Sequence, residues 1–268
     1  MSMDLAPFLK ADIGAGDVTT ELTVPDTDGT AYITCEQDAV IAGMDEAMNI
    51  FAMLGADATA LVNDGDHVKA GSRVMSVSGP LRGMITAERT ALNMLMFMSG
   101  TATMTSKAIE AGEGKIVIAA TRKTAPGFGQ LQKKAVAVAG GDPHRADLGS
   151  MILIKDNHIK ACGSVRNAME MVRKASFSLK VEVEVENIDD AVAAAEMGAD
   201  VIMADNVGPE MTGMIRDAVK AVCDRILVEA SGNITVADIP SYIGKTDIIS
   251  MGMLTHSAPA IQFSMDIN

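Results

Sequence analysis

Aromatic residues and cysteines are scarce in this chain of 268 residues, and each scarcity argues against a class of protein. The sequence has no Trp and only two Tyr, too few side chains to stack against the bases of a nucleic acid. Its three cysteines, Cys35, Cys162 and Cys223, are odd in number and far apart, without a CxxC pair. This pattern suggests neither a disulfide framework nor a zinc site. We expect buried or half-buried thiols that behave as small apolar side chains.

Long hydrophobic runs and a basic leader are also lacking. No apolar run reaches the length that spans a bilayer, and the opening residues MSMDLAPFLKADIG carry acidic side chains where a secretory signal would be basic. An apolar fraction of 48% with 21% charged residues is typical of globular proteins. We therefore expect a cytoplasmic protein with no membrane partner, long enough for one barrel-sized domain or two smaller ones.

Positive charge is scarce overall but concentrated in one segment. The formal net charge is −13, yet residues 121–160 contain seven Lys or Arg against three Asp, a local balance of +4. Because Arg binds carboxylates and phosphates bidentately and Lys acts as a point charge, the segment predicts a site for a small anion with several such groups. Nucleic acid is not expected as a partner, since the acidic remainder of the surface would repel a polyanion.

The pattern from about residue 30 to residue 100 predicts an α+β unit. A helix is expected at residues 43–55, and a long helix begins near Thr86. His67 is expected on a surface turn rather than as a ligand. Methionines at helical spacing on the long helix are interpreted as core residues. Three strands that alternate apolar and polar side chains are expected at residues 31–37, 60–68 and 72–79.

After Gly114 the pattern changes to repeated βα units, which predict a parallel sheet. Its strands are expected in KIVIAA, SMILI, KVEVEV, ADVIMA, RILVEA and DIISMG. In a β/α barrel the carboxyl ends of all strands meet at one mouth, whereas a doubly wound sheet gathers only two of them, and no GxGxxG follows a strand here. The barrel is favoured because polar groups follow nearly every run: Arg122 and Lys123, Lys155 and Asp156, Asp205 and Asn206, Ser231 and Gly232, and Gly252.

The run KVEVEVE places Glu182, Glu184 and Glu186 at alternate positions, so the three carboxylates are expected to share one face of a strand. Burying them without cations would be very costly. One interpretation is that some of them meet a metal, a Lys or a ligand hydroxyl near the barrel mouth. The other is an internal ion-pair network with Lys123 or Lys155, and the pattern alone leaves both open.

Two late loops, EASGN at 229–233 and SMG at 250–252, follow the last two predicted strands. Small residues with available backbone N–H groups at this place in a barrel are typical of a phosphate site. Glycine and serine also form ordinary turns, so position rather than composition carries this prediction.

Nine segments together resemble the quinolinate phosphoribosyltransferase (carboxylating nicotinate-nucleotide pyrophosphorylase) family in order and spacing. They are GAGDVTT (14–20), AERTALNMLMFMSGTAT (87–103), TRKTAPG (121–127), GGDPHR (140–145), LIKDNHI (153–159), VEVEVEN (181–187), ADN (204–206), EASGNI (229–234) and SMGMLTHSA (250–258).

This resemblance implies an α/β protein with two domains. Residues 1–104 would form an N-terminal α/β sandwich, to which the tail 257–268 returns, and residues 105–256 an incomplete, seven-stranded α/β barrel. It also implies a homodimer, or a larger assembly of dimers, in which the N-terminal domain of one subunit covers the barrel mouth of the other. The implied reaction joins quinolinate to phosphoribosyl pyrophosphate with Mg²⁺ and gives nicotinate mononucleotide, pyrophosphate and CO₂ in NAD synthesis.

The resemblance also implies roles for particular residues. Lys123, Lys155, Glu184 and Asp205 would be catalytic, the two lysines facing the phosphates and the two carboxylates facing the ribose and Mg²⁺, which they could hold indirectly. The quinolinate carboxylates would be held by Arg122, Arg145 and Lys155, with His144 nearby and Arg89 reaching in from the partner subunit. The 5′-phosphate would be cradled by Ser231, Gly232 and Gly252.

Several residues depart from the family pattern without removing a binding cation. They are Ala11, Ala120, Gly129, Pro143 and Asn233. One alternative function is therefore a paralogous phosphoribosyltransferase for another aromatic acid, as in a branch associated with molybdate transport, although that branch generally loses the KDNH motif kept here. A Schiff-base aldolase using Lys155 or Lys123 and a non-catalytic nucleotide sensor are further alternatives.

Overall fold

The structure, a computed structural model, describes residues 3–268, and the chain divides into two compact units. The first unit comprises the chain up to Ser106 together with Gly127–Ala139 and Ala258–Asn268. The second comprises Lys107–Pro126 and Gly140–Ser257. Within the described residues, no helix combines the length and apolar character that crossing a membrane requires. Location in the cytoplasm stays a prediction from the sequence.

The strands of the described residues are β1 Asp28–Cys35, β2 Ala39–Val40, β3 Asp57–Ala60, β4 His67–Val68, β5 Ser72–Pro80, β6 Val117–Ala119, β7 Ile152–Ile154, β8 Val181–Val185, β9 Val201–Asp205, β10 Leu227–Ser231, β11 Ile248–Ser250 and β12 Phe263–Ile267. The α-helices are α1 Ala6–Ile13, α2 Val18–Thr23, α3 Met44–Met53, α4 Leu81–Ala111, α5 Gly129–Val138, α6 Asp156–Cys162, α7 Val165–Val172, α8 Ile188–Glu196, α9 Pro209–Val222 and α10 Met253–His256.

The first unit is built on an antiparallel sheet in the order β12-β1-β5-β3. Alternate residues of β1, among them Ile33 and Cys35, are fully buried, as a strand with one covered face requires. The carboxyl-terminal strand pairs with β1, Ala31 opposite Ile267. Met94 and Met98 of α4 lie in the hydrophobic core, which confirms the interpretation of these methionines as core residues.

Two expectations for the first unit are wrong. The expected strand at 60–68 breaks after Ala60, because residues 61–66 form a turn with Gly65 at φ 94°, and His67 begins the two-residue strand β4. Helix α4 begins at Leu81 rather than near Thr86. Its first turn directly follows Pro80, the last residue of β5, so the hydrophobic pattern gave no separating loop to recognise.

The second unit is a parallel sheet in the order β6-β11-β10-β9-β8-β7, which confirms the predicted α/β barrel fold. The first and last strands along the chain, β6 and β11, are hydrogen-bonded neighbours, as barrel curvature requires. Six strands form among the described residues, and the seventh expected strand is reduced to a single parallel bridge between Ala119 and Asp142. The barrel is therefore open between this bridge and β7.

Side chains alternate along the parallel strands between the helices and the barrel interior. On β8, Val183 and Val185 pack with the alanines of α8 in a hydrophobic cluster, so Glu182 and Glu184 face the other way. Helix starts follow ordinary capping chemistry, as where the Ser164 hydroxyl accepts the N–H of Asn167 at the start of α7. The same alternation on β9 and β10 directs Asp205, Glu229 and Ser231 toward the interior.

Candidate active site at the strand ends of the barrel

A cavity of about 360 Å³ lies at the carboxyl ends of the parallel strands in the second unit. Parallel strands end at one edge, which brings together residues far apart in the sequence. The residues that the sequence predicted for the site and that line this cavity are Arg122, Lys123, His144, Arg145, Lys155, Glu184, Asp205 and Ser231. The predicted glycines, Gly232 and Gly252, line a cavity of about 290 Å³ that shares Thr121, Lys123, Ser231 and Ser250 with the first.

Arg122 and Arg145 form what we call the basic wall of the cavity. Arg122 lies in the segment after β6, and Arg145 lies in the segment that the Ala119–Asp142 bridge joins to β6. Arg122 is exposed and Arg145 half-buried. Burial, followed by repulsion from the Arg122 guanidinium, lowers the pKa of Arg145. Two guanidinium groups close enough to repel each other favour an anion between them. This wall suits the two carboxylates of a small aromatic acid.

Glu184 on β8 and Asp205 on the neighbouring strand β9 form what we call the acidic wall of the cavity. Lys155 Nζ donates to Glu184 Oε2 at 2.6 Å, with the Lys155 side chain 42% exposed and that of Glu184 12% exposed. Asp205 follows on β9, and Asn206 Nδ2 donates to its Oδ2 at 2.6 Å. The ion pair considered from the sequence therefore forms, but both partners line the cavity and remain available to a ligand.

The third glutamate of the run does not share this environment. Strand β8 ends at Val185, so Glu186 lies beyond it and is exposed. The expectation that all three carboxylates share a face of one strand is therefore wrong for Glu186. The apolar run KVEVEV ends at Val185, as β8 does, but the alternation of carboxylates continues to Glu186 and suggested a longer strand.

The KDNH motif shapes the loop that carries Lys155. Lys155 precedes α6 in an extended conformation, and its backbone N–H donates to Nδ1 of His158 at 2.9 Å. The His158 ring thus closes the first turn of α6 back onto Lys155. This contact gives His158 a local structural role in orienting the lysine.

The two glycines predicted to bind the phosphate, Gly232 and Gly252, lie in tightly packed surroundings. Gly232 has φ 101°, and a Cβ there would lie 2.3 Å from Asn206 Oδ1, so only glycine fits. At Gly252 a Cβ would lie 2.9 Å from Nε2 of His256. The Ser250 hydroxyl donates to that of Ser231 at 3.0 Å. His256, which the sequence analysis did not select, lines this second cavity, and its place in the motif SMGMLTHSA was the signal that could have found it.

Asn233 is one of the residues that the sequence analysis found to depart from the family pattern. It has φ 53°, a left-handed conformation that asparagine tolerates better than most residues. Its Nδ2 donates to Oδ1 of Asn206 at 3.4 Å. The substitution therefore keeps the backbone of the loop and adds a side-chain contact.

Three ionisable residues, the half-buried His144 and the buried Glu182 and Glu229, form a cluster at the cavity that is called here the buried triad. His144 Nε2 lies 3.3 Å from Glu229 Oε2 and 3.6 Å from Glu182 Oε2. The side chains of Glu182 and Glu229 are 0% and 1% exposed. Burial, followed by the charge of Glu229, raises the pKa of Glu182 to about 9. The sequence analysis missed Glu229, although its two-residue spacing from Ser231 on β10 placed both on one face.

Arg89 does not line this cavity and belongs to the first unit, where it is exposed on α4. It lines a separate cavity of about 340 Å³ with Asp12 and Asp17. Its Nη1 approaches the Met96 sulfur at 3.9 Å. The described residues of a single chain therefore leave its guanidinium accessible to a ligand or to another chain.

The chain matches two family models over nearly its whole length. The model described as "Quinolinate phosphoribosyl transferase, N-terminal domain" matches residues 17–99, and that described as "Quinolinate phosphoribosyl transferase, C-terminal domain" matches residues 101–266.

Named relatives share about two fifths of their residues with the chain. A probable carboxylating nicotinate-nucleotide pyrophosphorylase of Archaeoglobus fulgidus is 39% identical, covering 94% of this chain and 98% of the relative. The carboxylating nicotinate-nucleotide pyrophosphorylase of Homo sapiens is 39% identical over 88% of this chain and 82% of its own. The solved structure of the nicotinate-nucleotide pyrophosphorylase from Francisella tularensis superposes with a TM-score of 0.92 at 35% identity, covering 98% of this chain and 94% of that one.

Proposed function

The chain belongs to the quinolinate phosphoribosyl transferase family, and we propose that its strand-end cavity joins quinolinate to phosphoribosyl pyrophosphate. The products are nicotinate mononucleotide, pyrophosphate and CO₂, as in NAD biosynthesis. The observation that carries the proposal is the pairing of two walls in one cavity, Arg122 and Arg145 from one pair of segments and Glu184 and Asp205 from another. An aromatic diacid and a phosphorylated sugar require that division of charge.

Quinolinate is assigned to the basic wall. Arg122 and Arg145 would each grip a carboxylate bidentately, and Lys155 would supply a further cation. The mutual repulsion of the two guanidinium groups is relieved when dianionic quinolinate binds, so part of the binding energy comes from the site's own unfavourable charge arrangement. His144 stands beside Arg145 and acts on it through the backbone.

The phosphoribosyl group is assigned to the acidic wall and the glycine loop. Ser231, Gly232 and Gly252 would receive the 5′-phosphate, because they line one cavity and a Cβ at Gly232 would collide with Asn206. Lys123 and Lys155 would face the pyrophosphate. As pyrophosphate leaves C1 of the ribose, positive charge grows on the sugar, and the carboxylates of Glu184 and Asp205 stabilise it.

The acidic wall also fits Mg²⁺. Among the described residues no hydrogen bond engages Glu184 Oε1 or Asp205 Oδ1, whereas the other oxygen of each carboxylate is held by Lys155 or Asn206. Mg²⁺ is usually bound by one or two carboxylates together with water and substrate phosphates, the set available here. When bound, it would neutralise charge developing on the departing pyrophosphate.

Decarboxylation follows phosphoribosyl transfer. Transfer makes the pyridine nitrogen cationic, so it stabilises the electron pair left on the adjacent ring carbon when the carboxylate departs as CO₂, and a proton from solvent then forms the new C–H bond. The protein's contribution is to hold the ring through Arg122 and Arg145 while this happens. No side-chain nucleophile is required. The Schiff-base alternative needs a free amine, whereas the Lys155 ammonium is paired with Glu184 at 2.6 Å.

The decisive experiment incubates the purified chain with quinolinate, phosphoribosyl pyrophosphate and Mg²⁺ and follows nicotinate mononucleotide by mass spectrometry. Product formation that depends on all three supports the proposal. A parallel panel of other pyridine carboxylates, with pyrophosphate release as the readout, tests the paralogue alternative. Turnover of another acid but not of quinolinate would contradict the assignment of substrate.

We further propose a homodimer whose sites are composite, with Arg89 supplied by the partner subunit, either alone or within a larger assembly of dimers. The support is that Arg89 is exposed and lies in the other unit from the cavity, within a motif shared with the family. If so, inactive Arg89→Ala and Arg122→Ala subunits should recover activity when mixed, because one of the two sites in a mixed dimer receives both arginines.

The matched control mixes Arg122→Ala with Arg145→Ala subunits. Both changes lie in the same unit of the chain, so each site of a mixed dimer keeps one defect and no activity should return. Verified mixed dimers of the first kind without recovered activity would contradict the role of Arg89 in trans.

A further inference from the structure

Both ring nitrogens of His144 have partners inside the protein. Nδ1 lies 2.8 Å from the backbone nitrogen of Arg145, and Nε2 faces the carboxylates of Glu229 and Glu182. His144 itself has φ 54°, a strained conformation for a residue with a side chain. Its backbone N–H donates to Asp142 Oδ1 at 2.6 Å. The residue is thus held at three points although it lines the cavity.

These partners fix where the ring proton lies. The backbone N–H of Arg145 can only donate, so Nδ1 must offer its lone pair. In a neutral imidazole the proton is then on Nε2, which donates toward Glu229 Oε2 at 3.3 Å. A metal ion at Nε2 would require the proton on Nδ1, where it would clash with the Arg145 N–H. The arrangement of the buried triad therefore fits a hydrogen bond donated by His144 Nε2 and does not fit a metal ion.

The burial of the two carboxylates makes this arrangement costly. Among the described residues, Oε1 and Oε2 of Glu182 and Oε1 of Glu229 lack a hydrogen-bond partner. An isolated carboxyl group in such a place destabilises the fold. Replacement of these groups by apolar side chains would relieve that cost, so we explain their presence by the His144 ring nitrogen that both carboxyl groups face.

We propose that Glu229, supported by Glu182, is a positioning residue that holds His144 as the Nε2–H tautomer, and that His144 in turn holds the backbone of Arg145 so that its guanidinium points into the cavity. The first half of this inference concerns the protein alone. The second half rests on the proposed function, because it assigns Arg145 to a substrate carboxylate.

The tautomer is tested on the ligand-free protein by nitrogen NMR of ¹⁵N-histidine-labelled protein. The chain has four histidines, and the His144 signals are identified by their loss in His144→Asn. Where the ring is neutral, we expect the Nε2–H form in the wild type and in Glu229→Gln, whose amide oxygen still accepts from Nε2. In Glu229→Leu the acceptor is gone, so the ring is free to turn away from the Arg145 N–H, and the signals should move toward a mixture of tautomers.

An internal control lies in the same spectra. His158 Nδ1 also accepts a backbone N–H, that of Lys155, but His158 does not belong to the triad. Its signals should stay in the Nε2–H form in every variant. Unchanged His144 signals in Glu229→Leu would overturn the proposal.

The effect on the reaction is read from the two Michaelis constants. Glu229→Leu should raise KM for quinolinate by about ten- to a hundredfold, because misplacing one binding group by an ångström has effects of that size. KM for phosphoribosyl pyrophosphate should change far less, and Glu229→Gln should restore most of the loss. An equal rise in both constants, or no rescue by Gln, would show that Glu229 serves folding only.

Stability is controlled with Thr246→Val, which removes a buried hydroxyl bonded to the Val228 carbonyl in the same sheet. If Glu229→Leu does not fold, Glu229→Asp replaces it, because the shorter side chain withdraws the acceptor oxygen by one methylene. The NMR spectra and the two Michaelis constants are then compared as before. A wild-type protein that makes no nicotinate mononucleotide but shows the expected tautomers would contradict the proposed function and leave the role of Glu229 supported.

Discussion

Glu182 and Glu184 lie two residues apart on one face of β8 and yet have opposite surroundings. Glu184 is paired with Lys155 at 2.6 Å and keeps part of its surface exposed, whereas Glu182 is fully buried and faces Glu229 and His144. Burial beside a second carboxylate raises the pKa of Glu182, so it is held as the neutral acid. Depth along one strand thus separates a charged, ligand-accessible carboxylate from a buried one that orients its neighbours.

The comparison predicts that the accessible cations matter most. Arg122→Ala and Arg145→Ala should each nearly abolish turnover, because each removes a charge-assisted bidentate contact, a loss of about 2 to 5 kcal/mol. Calorimetric titration should show that quinolinate affinity collapses while the melting temperature is kept. Arg166→Ala is the matched control, since Arg166 pairs with Glu196 on the surface. Near-normal quinolinate binding by either site variant would contradict the assignment.

The accessible carboxylates should show the next largest effect. Glu184→Gln and Asp205→Asn are expected to slow the phosphoribosyl step by roughly a hundredfold while leaving quinolinate binding nearly intact, since we assign their charge to the ribose and Mg²⁺ and not to quinolinate. Single-turnover kinetics beside calorimetry separates the two quantities. Glu196→Gln, an exposed ion-pair variant, controls for loss of charge.

A different result would favour the purely structural interpretation of Glu184. If the carboxylate only neutralises Lys155, Glu184→Gln should lower the melting temperature without a specific defect in the phosphoribosyl step. Glu184 would then affect stability, as we expect of Glu182, and the proposed contrast between the two glutamates would not hold.

The buried carboxyl group should affect stability through pH. The pKa of Glu182 is raised to about 9 in the folded protein, so above pH 4.5, its ordinary value, unfolding releases a proton that the folded state retains. Its contribution to stability is therefore complete below pH 4.5 and is lost as pH rises toward 9.

Glu182→Gln removes that proton, and its free energy of unfolding should vary less with pH over this interval. Denaturant titrations at a series of pH values measure the difference. The same slope in variant and wild type would mean that Glu182 is ionised in the folded state. Glu184→Gln serves as the comparison from the same strand.

Much of this arrangement could be predicted from the sequence, because strand periodicity and the cations after each strand are local features. The resemblance then gathered Arg122, Lys155, Asp205 and Ser231 into one site, and all four line the cavity. Glu229 could have been found from its spacing to Ser231. Hydrophobic pattern could not show that the seventh strand shrinks to one bridge, because this depends on pairing with neighbours.

The smallest predicted effect concerns the loop beside Asp205. Asn233 Nδ2 donates to Asn206 Oδ1, and Asn206 Nδ2 donates to Asp205 Oδ2. The side chain of Asn233 therefore reaches the accessible carboxylate of Asp205 through the side chain of Asn206. Asn233→Gly keeps the backbone, because φ 53° suits glycine, but removes the outer bond. KM for phosphoribosyl pyrophosphate should rise about threefold, the size expected of one neutral hydrogen bond, with KM for quinolinate unchanged.

Asn206→Ala breaks the contact with Asp205 itself and should have the larger effect on the same constant. Equal effects of the two variants would show that the side chain of Asn233, and not that of Asn206, fixes the loop. No effect of either would mean that Asp205 needs no help from its neighbours to hold its position. In that case, of the two places where we propose that one side chain orients another, only the buried triad would remain.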